Sequence, residues 1–210
     1  MSMQLKASGI ILAGGRSRRL GRAKALEPFQ GEPMIRRVIS RLSQVTDDLV
    51  FVVNDQEQAS ALPISPETVG LPYRTAVDLY PDGGSLGGIF TGLSAADSQW
   101  AFVVACDMPF LNVDLLKNML SYRDGHDAVV PKTDGYPEPT HALYNKTCLP
   151  YMEKRLQNND LKIARFFDEV SVRFLEEAEV RETDSDLVSF FNVNTQDDLD
   201  RALSLAAEGR

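Results

Sequence analysis

The chain has 210 residues, with 22 Lys and Arg against 30 Asp and Glu, and 43% of its residues are hydrophobic. This composition is typical of a globular protein, and the length predicts one domain over residues 1–210. The formal net charge of −8 argues against general nucleic-acid binding, which needs a cationic surface. The absence of about 18 consecutive apolar residues, or of a secretory signal, predicts no membrane partner. Two cysteines exclude a disulfide framework, so we expect a cytoplasmic location, and a monomer is the simplest expectation.

Short apolar runs alternate with stretches of helical spacing. Strands are predicted at 9–12, 49–53, 100–106, 128–131, 141–144, 172–175 and 187–191. Helices are predicted from Pro33, over 86–93, after an Asn112 cap, over 148–156 and 162–168, and from a capping box at Thr195. The alternation predicts an α/β protein whose largely parallel sheet has helices on both faces.

Two adjacent glycines, Gly14 and Gly15, follow the first predicted strand. Glycines allow a tight turn, in which successive N–H groups form a nest for an anion. Five bases and no acid follow within nine residues, where the average composition would give about one base. These bases are Arg16, Arg18, Arg19, Arg22 and Lys24. The pattern predicts a phosphate-binding loop, the alternative being a solvated basic loop.

Asp107 comes directly after the most apolar predicted strand. Ligands of parallel sheets bind beyond the carboxyl ends of the strands, and Mg²⁺ is held there by one or two carboxylates together with substrate phosphate. Asp107 therefore suits a metal ligand, although an aspartate before Pro109 is also an ordinary turn residue. Gly14, Asn54 and Asp107 follow these predicted strands, Asp78 is expected at a strand end as well, and the four residues could converge on one edge.

Two further segments carry weaker signals. Four glycines between Asp82 and Gly88 predict a loop that approaches a ligand closely before a helix, with a simple connecting loop as the alternative. Asn192 and Asn194 alternate around Val193, so extended backbone would place both amides on one side, toward a ligand or a metal. No Walker sequence, dinucleotide-binding glycine pattern, zinc spacing or nucleophile elbow is present in the chain.

In combination, these motifs resemble the molybdenum cofactor guanylyltransferase family of the nucleotidyltransferase superfamily, over nearly the whole chain. The first motif reads Leu12-Ala-Gly-Gly-Arg-Ser-Arg-Arg-Leu-Gly-Arg-Ala-Lys24. It is followed by Ser85-Leu-Gly-Gly-Ile89, Cys106-Asp-Met-Pro-Phe-Leu111, Ala142-Leu-Tyr144 and Asn192-Val-Asn-Thr195. The chain departs from the family pattern at Ala23, where an aspartate is usual, and at Leu20, where methionine is usual.

The resemblance implies a three-layer α/β/α Rossmann-like nucleotidyltransferase fold with a mostly parallel mixed sheet. It also implies transfer of GMP from GTP to the phosphate of molybdenum-molybdopterin, with Mg²⁺ as cofactor and pyrophosphate as leaving group. Other molybdenum-cofactor biosynthesis proteins are implied partners. By the same resemblance, the nucleotide would contact Leu12, Ala13, Gly14, Gly15, Lys24, Asn54, Asp78 and Asp107. Lys24 and Asp107 would be catalytic, with Asp107 also the metal ligand, and Asn192 and Asn194 would bind the acceptor.

Three alternatives stay open at this stage. A cytidylyltransferase, or an enzyme for another phosphorylated acceptor, would share the mechanism but differ in substrate. A non-catalytic nucleotide-binding module would bind nucleotide without releasing pyrophosphate. A protein-interaction scaffold would show no nucleotide-dependent stabilisation.

Overall fold

The computed structural model describes residues 7–14 and 24–209, with Lys24 described by its backbone alone. The strands are β1 (Ser8–Leu12), β2 (Pro28–Phe29), β3 (Glu32–Pro33), β4 (Asp48–Val53), β5 (Tyr73–Val77), β6 (Trp100–Ala105), β7 (Ala128–Thr133), β8 (Tyr136–Pro137), β9 (His141–Asn145) and β10 (Val172–Leu175). The α-helices are α1 (Met34–Leu42), α2 (Gln56–Ala61), α3 (Pro66–Val69), α4 (Gly84–Ala95), α5 (Val113–Ser121), α6 (Leu149–Gln157), α7 (Glu177–Arg181) and α8 (Gln196–Ala207). None of the helices in the described part of the chain is both long and apolar enough to cross a membrane.

The main sheet has the strand order β10-β7-β9-β6-β1-β4-β5, with β8 paired to β7, and β2 and β3 form a separate hairpin. Strands β6, β1, β4 and β5 are parallel neighbours, as are β7 and β10. Strand β9 is antiparallel to both β6 and β7. Consequently β7 runs in the same direction as β6, and six strands end at one edge of the sheet. The predicted mostly parallel mixed sheet is confirmed.

Alternating side chains of the strands divide the core between two faces of the sheet. Ile11, Phe51 and Val104 pack on one face with the apolar sides of α1 and α5. Ile10 and Val103 pack on the other face with α4 and α6. The helices therefore form a layer on each face, as the sequence predicts. A smaller cluster joins α8 to the β2–β3 hairpin and to the segment after β6.

The prediction of a strand over 187–191 is wrong. A 3-10 turn spans Val188–Phe190, and Leu187 before it has a left-handed backbone with φ 56°. The buried carboxylate of Asp184 accepts hydrogen bonds from the N–H groups of Val188 (3.2 Å) and Ser189 (2.9 Å). An aspartate that satisfies backbone donors in this way offers the segment an alternative to strand pairing. Where the sequence predicts an ordinary helix over 162–168, the structure has a 3-10 segment, Ile163–Glu169.

Candidate active site

A cleft of about 410 Å³ opens at the carboxyl ends of β1, β4, β5 and β6. Parallel strands bring their carboxyl ends to one edge, which is where α/β sheets bind ligands. The cleft is lined by Leu12, Gly14, Val52, Asn54, Asp78, Pro81, Gly84, Ser85, Gly88, Ala105, Cys106, Asp107, Thr140 and Asn192. The predicted convergence of Gly14, Asn54, Asp78 and Asp107 on one edge is confirmed.

The end of β1 is held against the end of β4 by amide side chains. The Asn54 Nδ2 group donates to the Gly14 carbonyl, and Gln58 Nε2 donates to the Ala13 carbonyl at 2.7 Å. Gln58 in turn accepts from the Asn54 N–H at 2.8 Å. A Cβ at position 14 would lie 2.5 Å from Asn54 Oδ1, so only glycine fits here without a shift. The Ala13 side chain is buried, and its backbone carbonyl is the atom that joins this network.

Asp78 follows β5 and is oriented by three hydrogen bonds around its own loop. Its Oδ1 atom accepts from the Tyr80 N–H at 2.9 Å and from the Thr91 hydroxyl at 3.0 Å. Its own N–H donates to the Val53 carbonyl at 2.8 Å. These bonds fix the carboxylate at the junction of β4, β5 and α4, which is the side of the cleft nearest Asn54.

Helix α4 begins inside the glycine-rich segment rather than after it, which corrects the prediction of a loop there. Gly84 and Ser85, in the first turn of α4, line the cleft, so the start of this helix borders the ligand space. Helix N-termini favour phosphate oxygens. Further along the helix, a Cβ at Gly88 would lie 3.2 Å from Leu12 Cδ2, and one at Gly92 would lie 2.3 Å from Ile10 Cγ2. These two glycines therefore bring α4 close to the sheet.

Asp107 lines the opposite side of the cleft and is 7% exposed. The Cys106 N–H donates to the Leu12 carbonyl at 3.1 Å, which fixes this segment against β1. The Val193 N–H donates to the Asp107 carbonyl at 3.0 Å, so the segment that carries Asn192 is tied to the same residue. Asn192 lines the cleft, and its Nδ2 donates to the Phe190 carbonyl at 3.0 Å, which leaves its amide oxygen for a ligand.

The residues at this position fit a magnesium ion bound jointly with a phosphate. The described part of the chain contains no cluster of three or more His, Cys, Asp or Glu that would hold a metal alone. Mg²⁺ usually takes one or two protein carboxylates and completes its shell with water and substrate phosphate. Asp107 supplies such a carboxylate in the same cleft as the phosphate-favouring start of α4.

Several predicted site residues do not join this cleft or lie outside the described residues. Asn194 is exposed, and its N–H donates to the carboxylate of Asp198, so it belongs to the cap of α8. Gly15 and the bases at 16, 18, 19 and 22 lie outside the described residues, as does the side chain of Lys24. Leu12, Gly14, Asn54, Asp78, Asp107 and Asn192 all line the cleft.

Sequence reasoning missed two contributors. Gln58 lies on α2, a six-residue helix with no buried residue, so no apolar period marked it. Thr140 reaches the cleft because the hydroxyl of buried Tyr144 donates to the Pro139 carbonyl at 2.8 Å. No local signal identifies either residue, because both depend on contacts between distant segments.

Comparison with known proteins agrees with this geometry. Residues 9–173 match the family model described as the MobA-like NTP transferase domain. The chain belongs to this family of nucleotidyltransferases, and the class implied by the motifs is confirmed.

Individual proteins of this family are similar to the chain over almost its whole length. A molybdenum cofactor guanylyltransferase of Desulfosudis oleivorans is 38% identical over 205 residues, covering 97% of each chain. A probable molybdenum cofactor guanylyltransferase of Pelotomaculum thermopropionicum is 37% identical, covering 98% of this chain and 96% of its own. The crystal structure of molybdopterin-guanine dinucleotide biosynthesis protein A from Archaeoglobus fulgidus superposes with a TM-score of 0.80 at 31% identity, covering 96% and 99%.

Proposed function

We propose that the protein transfers GMP from GTP to the phosphate of molybdenum-bearing molybdopterin. One observation carries this proposal: a single cleft is lined by Gly14, Asn54 and Asp78, by the N-terminus of a helix, and by a buried carboxylate, Asp107. The molybdenum cofactor guanylyltransferases described above, similar over almost the whole chain, support GTP and molybdopterin as the substrates.

The reaction joins two polyanions. A phosphate oxygen of the acceptor forms a bond to the α-phosphorus of GTP, the bond from that phosphorus to the bridging oxygen breaks, and pyrophosphate leaves with the electron pair. The attacking oxygen is already anionic, so no covalent protein nucleophile and little general-base help are needed. The main barrier is charge repulsion, which favours catalysis by positioning and by electrostatic stabilisation.

Each described residue has a defined part in this scheme. Gly14, Asn54 and Asp78 contact the nucleotide, and the start of α4 receives its phosphates. Asp107 would hold Mg²⁺, and the bound ion would supply neutralisation of phosphate charge. Asn192 orients the acceptor, while Asn194 caps α8 and is assigned no contact with it. Lys24 remains a proposed phosphate contact on the sequence motif alone.

The cellular setting follows as part of the same proposal. The protein acts in the cytoplasm as a monomer, receives molybdopterin from other cofactor-biosynthesis proteins, and uses neither a membrane nor a nucleic-acid partner. Both cysteines, Cys106 and Cys148, are buried free thiols, which is typical of proteins from a reducing compartment.

The first test is thermal stability with Mg²⁺ and each of GTP, CTP, ATP and UTP. A ligand at 100 times its dissociation constant adds about 2.7 kcal/mol to the free energy of unfolding, which is measurable as a shift in Tm. We expect a shift selective for GTP, and release of pyrophosphate once molybdopterin is added. A CTP-selective shift would change the product, and no shift with any nucleotide would overturn the proposal.

A further inference from the structure

A second depression of about 440 Å³ lies beside the cleft, at the carboxyl end of β7. Its lining includes Thr133, Glu138, Phe190, Phe191 and Arg201. Because β7 runs in the same direction as β6, this depression opens at the same edge of the sheet as Asp107. Gly14, Asn54 and Asp78, which the proposed function assigns to the nucleotide, lie on the far side of the cleft, so this second depression has no assigned role.

Two chain segments form the boundary between the depression and the cleft. In the first, Glu138 lines the depression and Thr140 lines the cleft. In the second, Phe191 lines the depression and Asn192 lines the cleft. One or two residues of extended chain span at most about 7 Å, so one small molecule can reach across this boundary. A ligand seated in the depression could therefore place a phosphate next to Asp107 and Asn192.

Glu138 is held in a fixed position in the wall of this depression. Its N–H donates to the Pro131 carbonyl at 2.9 Å, its carbonyl accepts from the His141 N–H at 3.0 Å, and the Thr133 hydroxyl donates to its carboxylate. Burial raises the pKa of the Glu138 carboxyl, against the opposing effect of the Thr133 hydrogen bond. A more basic carboxylate is a stronger hydrogen-bond acceptor, and it has lone pairs beyond the one that Thr133 uses.

The aromatic part of the lining suits a flat ring. The Phe190 ring is fixed against buried His141, with ring centroids 4.6 Å apart. The Arg201 guanidinium lies 5.3 Å from the centroid of the Phe191 ring. Aromatic faces and a stacked guanidinium pack favourably against heteroaromatic rings. The backbone of Leu187, with φ 56°, is held left-handed at the same depression, and such conformations cluster at ligand sites.

We infer that this depression binds the pterin ring of the acceptor, with the Glu138 carboxylate accepting hydrogen bonds from its 2-amino-4-oxopyrimidine edge. That edge presents a ring N–H and an amino N–H in parallel, so it matches a carboxylate as an arginine fork does. The inference rests on the proposed function, and it makes Glu138 a specificity-determining residue. Guanine carries the same edge, but the guanine of GTP is assigned to the Asn54 and Asp78 side of the cleft.

The test compares two probes that differ at that edge: pterin, and lumazine, which has an oxo group in place of the 2-amino group. Binding is followed by the probes' own fluorescence, in wild type, Glu138→Gln and a matched control, Glu153→Gln. Glu153 is exposed on α6, so its substitution makes the same charge change away from the depression. In Glu138→Gln the new amide side chain keeps an oxygen for the Thr133 hydroxyl, so the fold is retained.

We expect wild type and Glu153→Gln to bind pterin about tenfold to hundredfold more tightly than lumazine, the usual range for hydrogen bonds to a charged group. Glu138→Gln should lose this preference while its GTP-dependent Tm shift stays unchanged. Pterin binding that ignores the substitution, in protein that still binds GTP, would overturn the inference alone. A weakened GTP shift in Glu138→Gln would assign the edge to guanine instead and also overturn it. Loss of GTP binding in wild type would overturn the proposed function itself.

Discussion

Asp107 lines the cleft from a nearly buried position, where the end of β6 meets the C-terminal segment. Its carboxylate is the group that the proposed function assigns to Mg²⁺. The Val193 N–H donates to the backbone carbonyl of Asp107, so a substitution at this position keeps that hydrogen bond. A change to asparagine therefore tests the charge of the side chain.

Asp107→Asn should lower kcat by about a hundredfold or more with Tm nearly unchanged, because a neutral amide would hold Mg²⁺ more weakly and losing one source of electrostatic stabilisation commonly costs that much. The measurement is pyrophosphate release over a range of Mg²⁺ concentrations. The matched control is Asp97→Asn, because Asp97 pairs with Arg74 before β6, at the opposite edge of the sheet. Full activity of Asp107→Asn at low Mg²⁺ would contradict the metal assignment.

His141 begins β9, is fully buried, and packs against Phe190. Burial lowers its pKa from 6.5 to about 4, partly opposed by the nearby backbone of Ser189. Below pH 6.5 the imidazole becomes protonated in the unfolded chain but stays neutral in the folded chain until the pH nears 4. The folded state therefore loses stability as the pH falls from about 6.5 toward about 4.

This linkage predicts that His141 costs about 2 kcal/mol of stability between pH 7 and pH 5. Urea unfolding at the two pH values measures the cost, and His141→Leu should remove it because leucine does not titrate. The difference between wild type and variant isolates His141, because every other titrating group is common to both proteins. If the free energy of unfolding depended on pH equally in wild type and variant, His141 would take up its proton as readily in the folded protein as in the unfolded chain.

At the scale of elements, the predicted strands and helices depend on apolar periodicity, and they were recovered where that periodicity was long. Helix α1, for example, buries Met34, Ile35, Val38, Ile39 and Leu42 at helical spacing. Helices α2, α3 and α7 were missed because they have only four to six residues and bury at most one side chain each. The 187–191 segment was assigned to a strand because its apolar residues were visible, whereas the capping role of Asp184 was not.

Helix α4 links packing to the site, because its glycines set how close its N-terminus lies to the cleft. Gly92→Ala should lower the free energy of unfolding by about 1–2 kcal/mol, since overpacking against Ile10 outweighs the gain in helix propensity. It should also weaken GTP binding by shifting the helix. Urea unfolding and nucleotide titration measure both effects. Ser94→Ala, on the exposed side of the same helix, should change neither, and an equally stable Gly92→Ala would contradict the close packing.

At the scale of the whole molecule, the two large clusters lie on opposite faces of one sheet and share its strands. A helix layer cannot detach without exposing strands that the other layer also covers. The C-terminal cluster is joined to the same sheet through Phe110 and the Val193–Asp107 hydrogen bond.

We therefore predict one cooperative unfolding transition, in keeping with the single domain expected from the length. Trp100, at the start of β6, reports on the centre of the sheet by fluorescence, and far-UV circular dichroism reports on the helices. The two probes should give coincident curves in urea. Separate transitions would show that the C-terminal segment, with Asn192, unfolds independently of the sheet.

The sequence by itself determined the α/β class, the order of the main elements and the nucleotidyltransferase motifs, because apolar periods and glycine-rich motifs are local properties of the chain. It also identified Gly14, Asn54, Asp78 and Asp107 as residues at strand ends, where a parallel sheet gathers side chains. Only the tertiary structure separated Asn192, in the cleft, from Asn194, in the cap of α8. Only the tertiary structure revealed Gln58, Thr140 and the depression around Glu138, because each is formed by segments far apart in the chain. Which distant groups meet is decided by the packing of whole layers, and no local pattern encodes that packing.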